Sequence, residues 1–111
     1  MKRKHKSVRL HKKGYNCAQC VLLCNTKGRR KLYAKLASGF GGGARCGEIC
    51  GAASGAVMVL GLNGKEAADI KAFNKEFKEH FGAIRCLDLK QKKIPCDELI
   101  EYSAKKVKEY I

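Results

Sequence analysis

Tryptophan is absent from this chain of 111 residues, and proline occurs once, at Pro95. That scarcity points away from a turn-rich β sandwich and towards helices. No segment of useful length alternates apolar and polar residues, so strands are not expected. No internal repeat is present either. The longest largely apolar run, Ile49 to Leu62, is fourteen residues, short of the roughly 20 needed to cross a bilayer. The basic start, Met1-Lys2-Arg3-Lys4-His5-Lys6, leads into no apolar segment of the kind a secretory signal carries.

Acidic residues are missing from the first 47 positions, which hold thirteen Lys or Arg; the first carboxylate is Glu48. Residues 48–111 carry the other eleven bases and all ten acids. The net charge of +14 therefore sits almost wholly in the first half. Such a field attracts phosphates, acidic proteins or anionic lipid, and it also serves solubility. A basic binding module for nucleic acid or an acidic partner, built on Lys2–Lys13 and Arg29–Lys35, is one function class to weigh. Few exposed aromatics are available to stack on bases.

Cysteine, by contrast, is plentiful. There are seven in 111 residues, an odd number and a density below that of disulfide scaffolds. With no secretory segment, the chain reads as cytoplasmic, where thiols stay reduced and clustered cysteines serve catalysis or metal ligation. The densest feature is Gly39-Phe40-Gly41-Gly42-Gly43-Ala44-Arg45-Cys46-Gly47-Glu48-Ile49-Cys50-Gly51-Ala52-Ala53-Ser54-Gly55. It reads as a glycine loop entering an apolar helix from Glu48 or Ile49 to about Leu60, with Cys50 in its first turn. The helix dipole there favours a thiolate. Gly47, Gly51 and Gly55 recur every four residues. Glycine inside a helix costs on the order of 1 kcal/mol relative to alanine, so a neighbouring backbone or bound group must come close.

The remaining pattern is a basic segment 1–13 followed by a cysteine-rich helical domain, 14–111. Val8 and Leu10 fall in a short helix that ends at Gly14. Asn16 caps a helix to about Asn25, with Cys17, Cys20 and Cys24 on one face. Arg29–Ser38 is a helix with Leu32, Tyr33 and Leu36 as its apolar stripe. Lys65–Phe81 is amphipathic, with Ala67, Ile70, Phe73, Phe77 and Phe81 inward and Gly82 past its end. Cys86–Leu89 makes a short helical turn. Pro95 opens a last helix that turns Cys96, Leu99, Ile100, Ser103, Val107 and Ile111 to one side. The expected fold is all-α, a bundle of about five helices packed around the glycine-rich one.

In order, Gly14-Tyr15-Asn16-Cys17-Ala18-Gln19, Gly39-Phe40-Gly41-Gly42-Gly43, Cys50-Gly51-Ala52-Ala53-Ser54-Gly55-Ala56, Leu60-Gly61-Leu62, Phe81-Gly82 with Cys86, and Cys96 before an amphipathic tail resemble the C_GCAxxG_C_C family, whose members are described as redox-active. The resemblance covers about Gly14 to Tyr110. It implies a small helical redox protein whose four characteristic cysteines are Cys17, Cys50, Cys86 and Cys96. It also implies, from modules joined to haem-bearing electron carriers, an iron–sulfur centre on those positions. Cys20, Cys24 and Cys46 depart from the simple pattern.

Two chemistries follow for these thiols. Four thiolates from distant points can ligate a [2Fe–2S] centre or a zinc ion, although the spacing lacks the paired CxxC rhythm of zinc modules. Alternatively no metal is bound, and Cys17 and Cys50 act as redox thiols in a dithiol/disulfide site. Cys17-Ala18-Gln19-Cys20 is a CxxC, but it lacks the βαβ context of thioredoxins, and Val21 rather than histidine follows it, which excludes haem attachment. Gly41, Gly42, Gly43 and Gly51 are expected to lie against whatever the site binds. The loop Gly39–Gly47, with Arg45, could also hold an anion, yet it lacks the Gly-Lys-Ser/Thr ending of a nucleotide phosphate loop. Cys20, Cys24 and Cys46 read as small buried hydrophobes. His5, His11 and His80 read as surface residues. A redox partner protein is implied, and the small glycine-faced bundle leaves a homodimer open.

Overall fold

The computed structural model describes residues 3–111, and among them the fold is all-α, with seven α-helices and no strand. The helices are α1 (Lys6–Lys12), α2 (Cys17–Cys24), α3 (Arg30–Ala37), α4 (Gly51–Leu62), α5 (Ala67–Phe81), α6 (Cys86–Gln91) and α7 (Cys96–Lys106), with 3-10 turns at Ser38–Phe40 and Val107–Tyr110. The count exceeds the expected five because the two short segments around Val8 and Cys86 are helices in their own right. Of the basic stretch, Met1 and Lys2 lie outside the described residues.

The core is built where α2 meets α4. Ala18, Val21, Leu22 and Leu23 of α2 and Ala52, Ala53, Ala56, Val59 and Leu60 of α4 are fully buried. Burying each of the larger side chains contributes about 1.5–3 kcal/mol. The two helices cross closely because Gly55 has no side chain: a Cβ there would lie 2.6 Å from the Ala18 carbonyl oxygen and 3.0 Å from the Val21 Cβ. α1 seals α2 and α7 with Ser7, Val8 and Leu10. α5 closes the far side with Phe73 and Phe77, whose rings meet Tyr102 and Tyr110 edge-on. Gly82, at φ 78°, ends α5 in the left-handed conformation, as the sequence suggests.

Three expectations are corrected. α4 begins at Gly51, not at Glu48 or Ile49, and Cys50 is its N-cap. The residues before it are held extended by a single antiparallel bridge between Ile49 and Arg85. Leu32 and Leu36 are not core: they are 54% and 57% exposed, because α3 buries Ala37 and packs its Tyr33 and Ala34 side inward. Ile111 is also exposed, since the chain leaves α7 through a 3-10 turn that rotates it off the buried face. No helix among the described residues is long and apolar enough to cross a membrane.

A candidate four-cysteine site

Each of the four cysteines stands where a helix starts. Cys17, Cys86 and Cys96 are the first residues of α2, α6 and α7, and Cys50 caps α4. Side chains at helix starts tilt back past the helix end. Helices that converge by their N-termini therefore deliver their first side chains to one place.

Local sequence explains each start. Asn16 and Gln19 form a capping box: the Gln19 amide donates to Asn16 Oδ1 at 2.9 Å, and the Asn16 amide donates to Gln19 Oε1 at 2.9 Å. The spare amide groups reach outward, Asn16 Nδ2 donating to the Ser38 carbonyl at 3.1 Å and Gln19 Nε2 to that of Ala34 at 2.8 Å. Cys17 is thus tied to α3 as well as to its own helix. Pro95, at φ −63°, presets the entry to α7. Cys50 and Cys86 are positioned together, because the Cys50 amide donates to the Ile84 carbonyl at 2.8 Å and the Cys86 amide to the Glu48 carbonyl at 2.6 Å.

The glycines provide close approach. A Cβ on Gly51 would collide with Cys17 Sγ and lie 2.7 Å from the Phe40 carbonyl oxygen. One on Gly43 would collide with the Glu48 backbone and lie 2.8 Å from the Cys86 Cβ. Gly42, Gly43, Ala44 and Arg45 are all left-handed, with φ of 64°, 66°, 58° and 62°. Such a turn costs the two non-glycine residues roughly 1–2 kcal/mol each. It returns the chain so that the Glu48 amide donates to the Gly43 carbonyl at 3.0 Å.

The outcome is one cavity of about 180 Å³ whose wall includes Cys17, Cys50, Cys86 and Cys96 together with Gly42 and Gly51. Leu89, Ile94 and Leu99 supply its apolar lining, and Asn16, Lys90 and His11 its polar edge. Gly41 and Gly43 do not line it. Gly41 is packed against the Asn16 side chain, and Gly43 lies beneath the loop against Glu48 and Cys86. Cys20, Cys24 and Cys46 also stand off the cavity: Cys20 is fully buried with its thiol 3.6 Å from the Tyr15 carbonyl oxygen, and Cys46 is exposed. All seven thiols are free.

The electrostatics revise the expectation that Cys50 is a ready thiolate. Burial pushes its thiol up to about 12. The amides of Ala52 and Ala53 pull the other way, and Cys17 and Cys86 add to the upward push. Desolvation outweighs the helix terminus because only 3% of Cys50 is exposed. Partial burial also raises Cys96, followed by Cys17 and Cys86, while Lys90 lowers it. Burial raises Cys20 to about 12. Cys50 and Cys96 are thus each raised in part by Cys17 and Cys86.

His11 is the residue that sequence reasoning missed. Its Nδ1 lies 2.7 Å from Asp97 Oδ1, and it stands on the cavity wall. Its partner is 86 positions away, so no local pattern marks it. Among the described residues, no three His, Cys, Asp or Glu side chains are grouped so as to hold a single metal ion.

A sequence profile described as "Putative redox-active protein (C_GCAxxG_C_C)" matches residues 15–110. The chain belongs to this family. The family name spells four cysteines, the second within a small-residue motif; this chain carries Cys50-Gly51-Ala52-Ala53-Ser54-Gly55, with cysteine and glycine in the reverse order to the name. No curated protein and no solved structure matches the chain.

Proposed function

We propose that this C_GCAxxG_C_C member is an electron-transfer protein of a reducing, cytoplasmic compartment, with a [2Fe–2S] cluster ligated by Cys17, Cys50, Cys86 and Cys96. The observation that supports it is the one cavity whose wall includes all four cysteines. A [2Fe–2S] centre takes its cysteines two to each iron, and four cysteines on one cavity wall supply that donor set. When bound, the cluster supplies reversible one-electron transfer.

The chain's own residues provide the setting. Leu89, Ile94 and Leu99 give the cavity an apolar wall. Lys90 and the amides that face Cys50 offset negative charge on ligating thiolates. Cys50 holds its proton until a metal displaces it, so loading releases protons and weakens as pH falls. Anaerobic reconstitution with iron and sulfide tests the proposal. Visible absorption that Cys50→Ser abolishes is expected, and a colourless protein removes the cluster.

A dithiol reading is favoured by one contact. Cys17 Sγ occupies the space beside Gly51, the residue next to Cys50. Cys17 and Cys50 would close a disulfide with loss of two electrons and two protons to a partner disulfide, which is reduced to two thiols. Cys17, the more accessible of the two, would attack first, because buried Cys50 is a poor nucleophile. A thiol titration that shows one reducible disulfide, lost in Cys50→Ser, is its test.

A further inference from the structure

Outside the cavity, the outer face of α3 is the part of the surface that its own fold leaves unexplained. Leu32, Leu36 and Phe40 follow one another at intervals of four residues, and all are exposed, Leu36 most of all. Phe40 continues into an apolar groove of about 420 Å³ walled by Ile49, Val57 and Met58. This explains why α4 is apolar nearly all round without being buried all round: its Ser54–Val57–Met58 side faces the groove. Contiguous exposed apolar surface with a polar rim marks an interaction site.

The rim has one sign. Arg29, Lys31 and Lys35 flank Leu32 and Leu36 along the chain, Arg45 is bonded to the Ser38 carbonyl between Leu36 and Phe40, and the sequence holds no acid before Glu48. Glu48 itself, the one carboxylate on the groove wall, is engaged by Arg85 at 3.2 Å. A second copy of the chain would bring like charges together, and a phosphate backbone would leave the leucines unused. A protein face with an apolar centre and a carboxylate rim satisfies both features.

The stripe is also joined to the thiol cavity. Ser38, between Leu36 and Phe40, accepts hydrogen bonds from Asn16 Nδ2 at 3.1 Å and Arg45 Nη2 at 2.8 Å. The Phe40 carbonyl abuts Gly51, and Gly42 lies on the cavity wall. A partner seated on the stripe would therefore sit against the segment that forms one side of the site. We infer that the Leu32–Leu36–Phe40 stripe and the groove beside Ile49 form the docking surface for an acidic electron-carrier protein. The choice of an electron carrier rests on the proposed redox function; the surface itself does not.

The test is an amide NMR titration of the full chain with oxidised flavodoxin, an acidic carrier that is diamagnetic in this form. Saturable shifts confined to residues 29–49 and the groove are expected, weakening several-fold on raising salt from about 50 to 300 mM. Leu36→Ser should weaken binding about tenfold, whereas Ile111→Ser, at an exposed apolar residue elsewhere, should not. Both positions are exposed, so folding should be retained, as an unchanged melting temperature would verify. Absence of shifts at low salt, shifts centred on Lys4–Lys13, or equal affinity of Leu36→Ser would overturn the inference. So would concentration-dependent dimerisation through the stripe, or binding to phosphatidylserine vesicles that displaces flavodoxin. Docking by a chain that fails to load iron would refute the cluster alone; a loaded chain that does not dock would refute this surface alone.

Discussion

The sulfur of Cys17 lies where a side chain on Gly51 would begin. One helix start thus makes room for the reactive atom of another, and the helix α4 begins with a glycine for a steric reason. Helix propensity alone would favour alanine there by about 1 kcal/mol. The collision with Cys17 Sγ and the Phe40 carbonyl outweighs that gain.

Gly51→Ala should therefore destabilise the protein by about 1–3 kcal/mol and displace Cys17 from the cavity. Gly61→Ala is the control, since nothing lies within 4 Å of a Cβ there and φ is not positive. It should stabilise by up to about 1 kcal/mol. Thermal unfolding checks both, with opposite shifts of several degrees expected.

Asn16→Ala removes the capping box and the tie to Ser38 together. A loss of about 1–2 kcal/mol is expected, measured by urea unfolding. Iron loading should fall more steeply than stability, because the cap sets the position of Cys17.

The pH dependence of the metal-free, reduced protein has a definite sign. The Cys50 thiol is raised from 9.0 to about 12 in the fold, so folding favours its protonated form. That contribution is fully present below about pH 9, declines as pH rises, and is lost above about pH 12. Urea unfolding of wild type and Cys50→Ala from pH 7 to pH 11 should show the wild-type advantage shrink above pH 9. An advantage that grows with pH would mean that the amides of Ala52 and Ala53 outweigh burial.

Phe77 is fully buried among Phe73, Phe81 and Tyr102. Phe77→Ala should cost about 3–5 kcal/mol through the cavity it leaves. Loss of a cooperative thermal transition, or a melting temperature lowered by well over ten degrees, is the expected reading.

Much of this arrangement was legible from local signals. Asn16 reads as a helix cap, the Phe73–Phe77 spacing as a buried helix face, and Gly82 as a helix end. The four cysteines were singled out by resemblance, and their shared cavity is a property of the fold. What stayed hidden depends on partners distant in sequence. The late start of α4 follows from the bridge to Arg85, and the place of His11 on the cavity wall goes with its bond to Asp97. Leu32 and Leu36 have ordinary core spacing, so periodicity assigned them inward; only the packing of α3 shows that they face out. The thiolate expectation for Cys50 failed because a helix start predicts the sign of one field and says nothing of burial.

The most direct test of the central claim is iron and sulfide analysis of anaerobically reconstituted protein, with each cysteine replaced in turn by serine. The account predicts about two iron and two sulfide per chain, lost on replacing Cys17, Cys50, Cys86 or Cys96 and kept on replacing Cys20, Cys24 or Cys46. Wild-type protein that binds no iron, or iron retained when Cys50 or Cys86 is replaced, would contradict it.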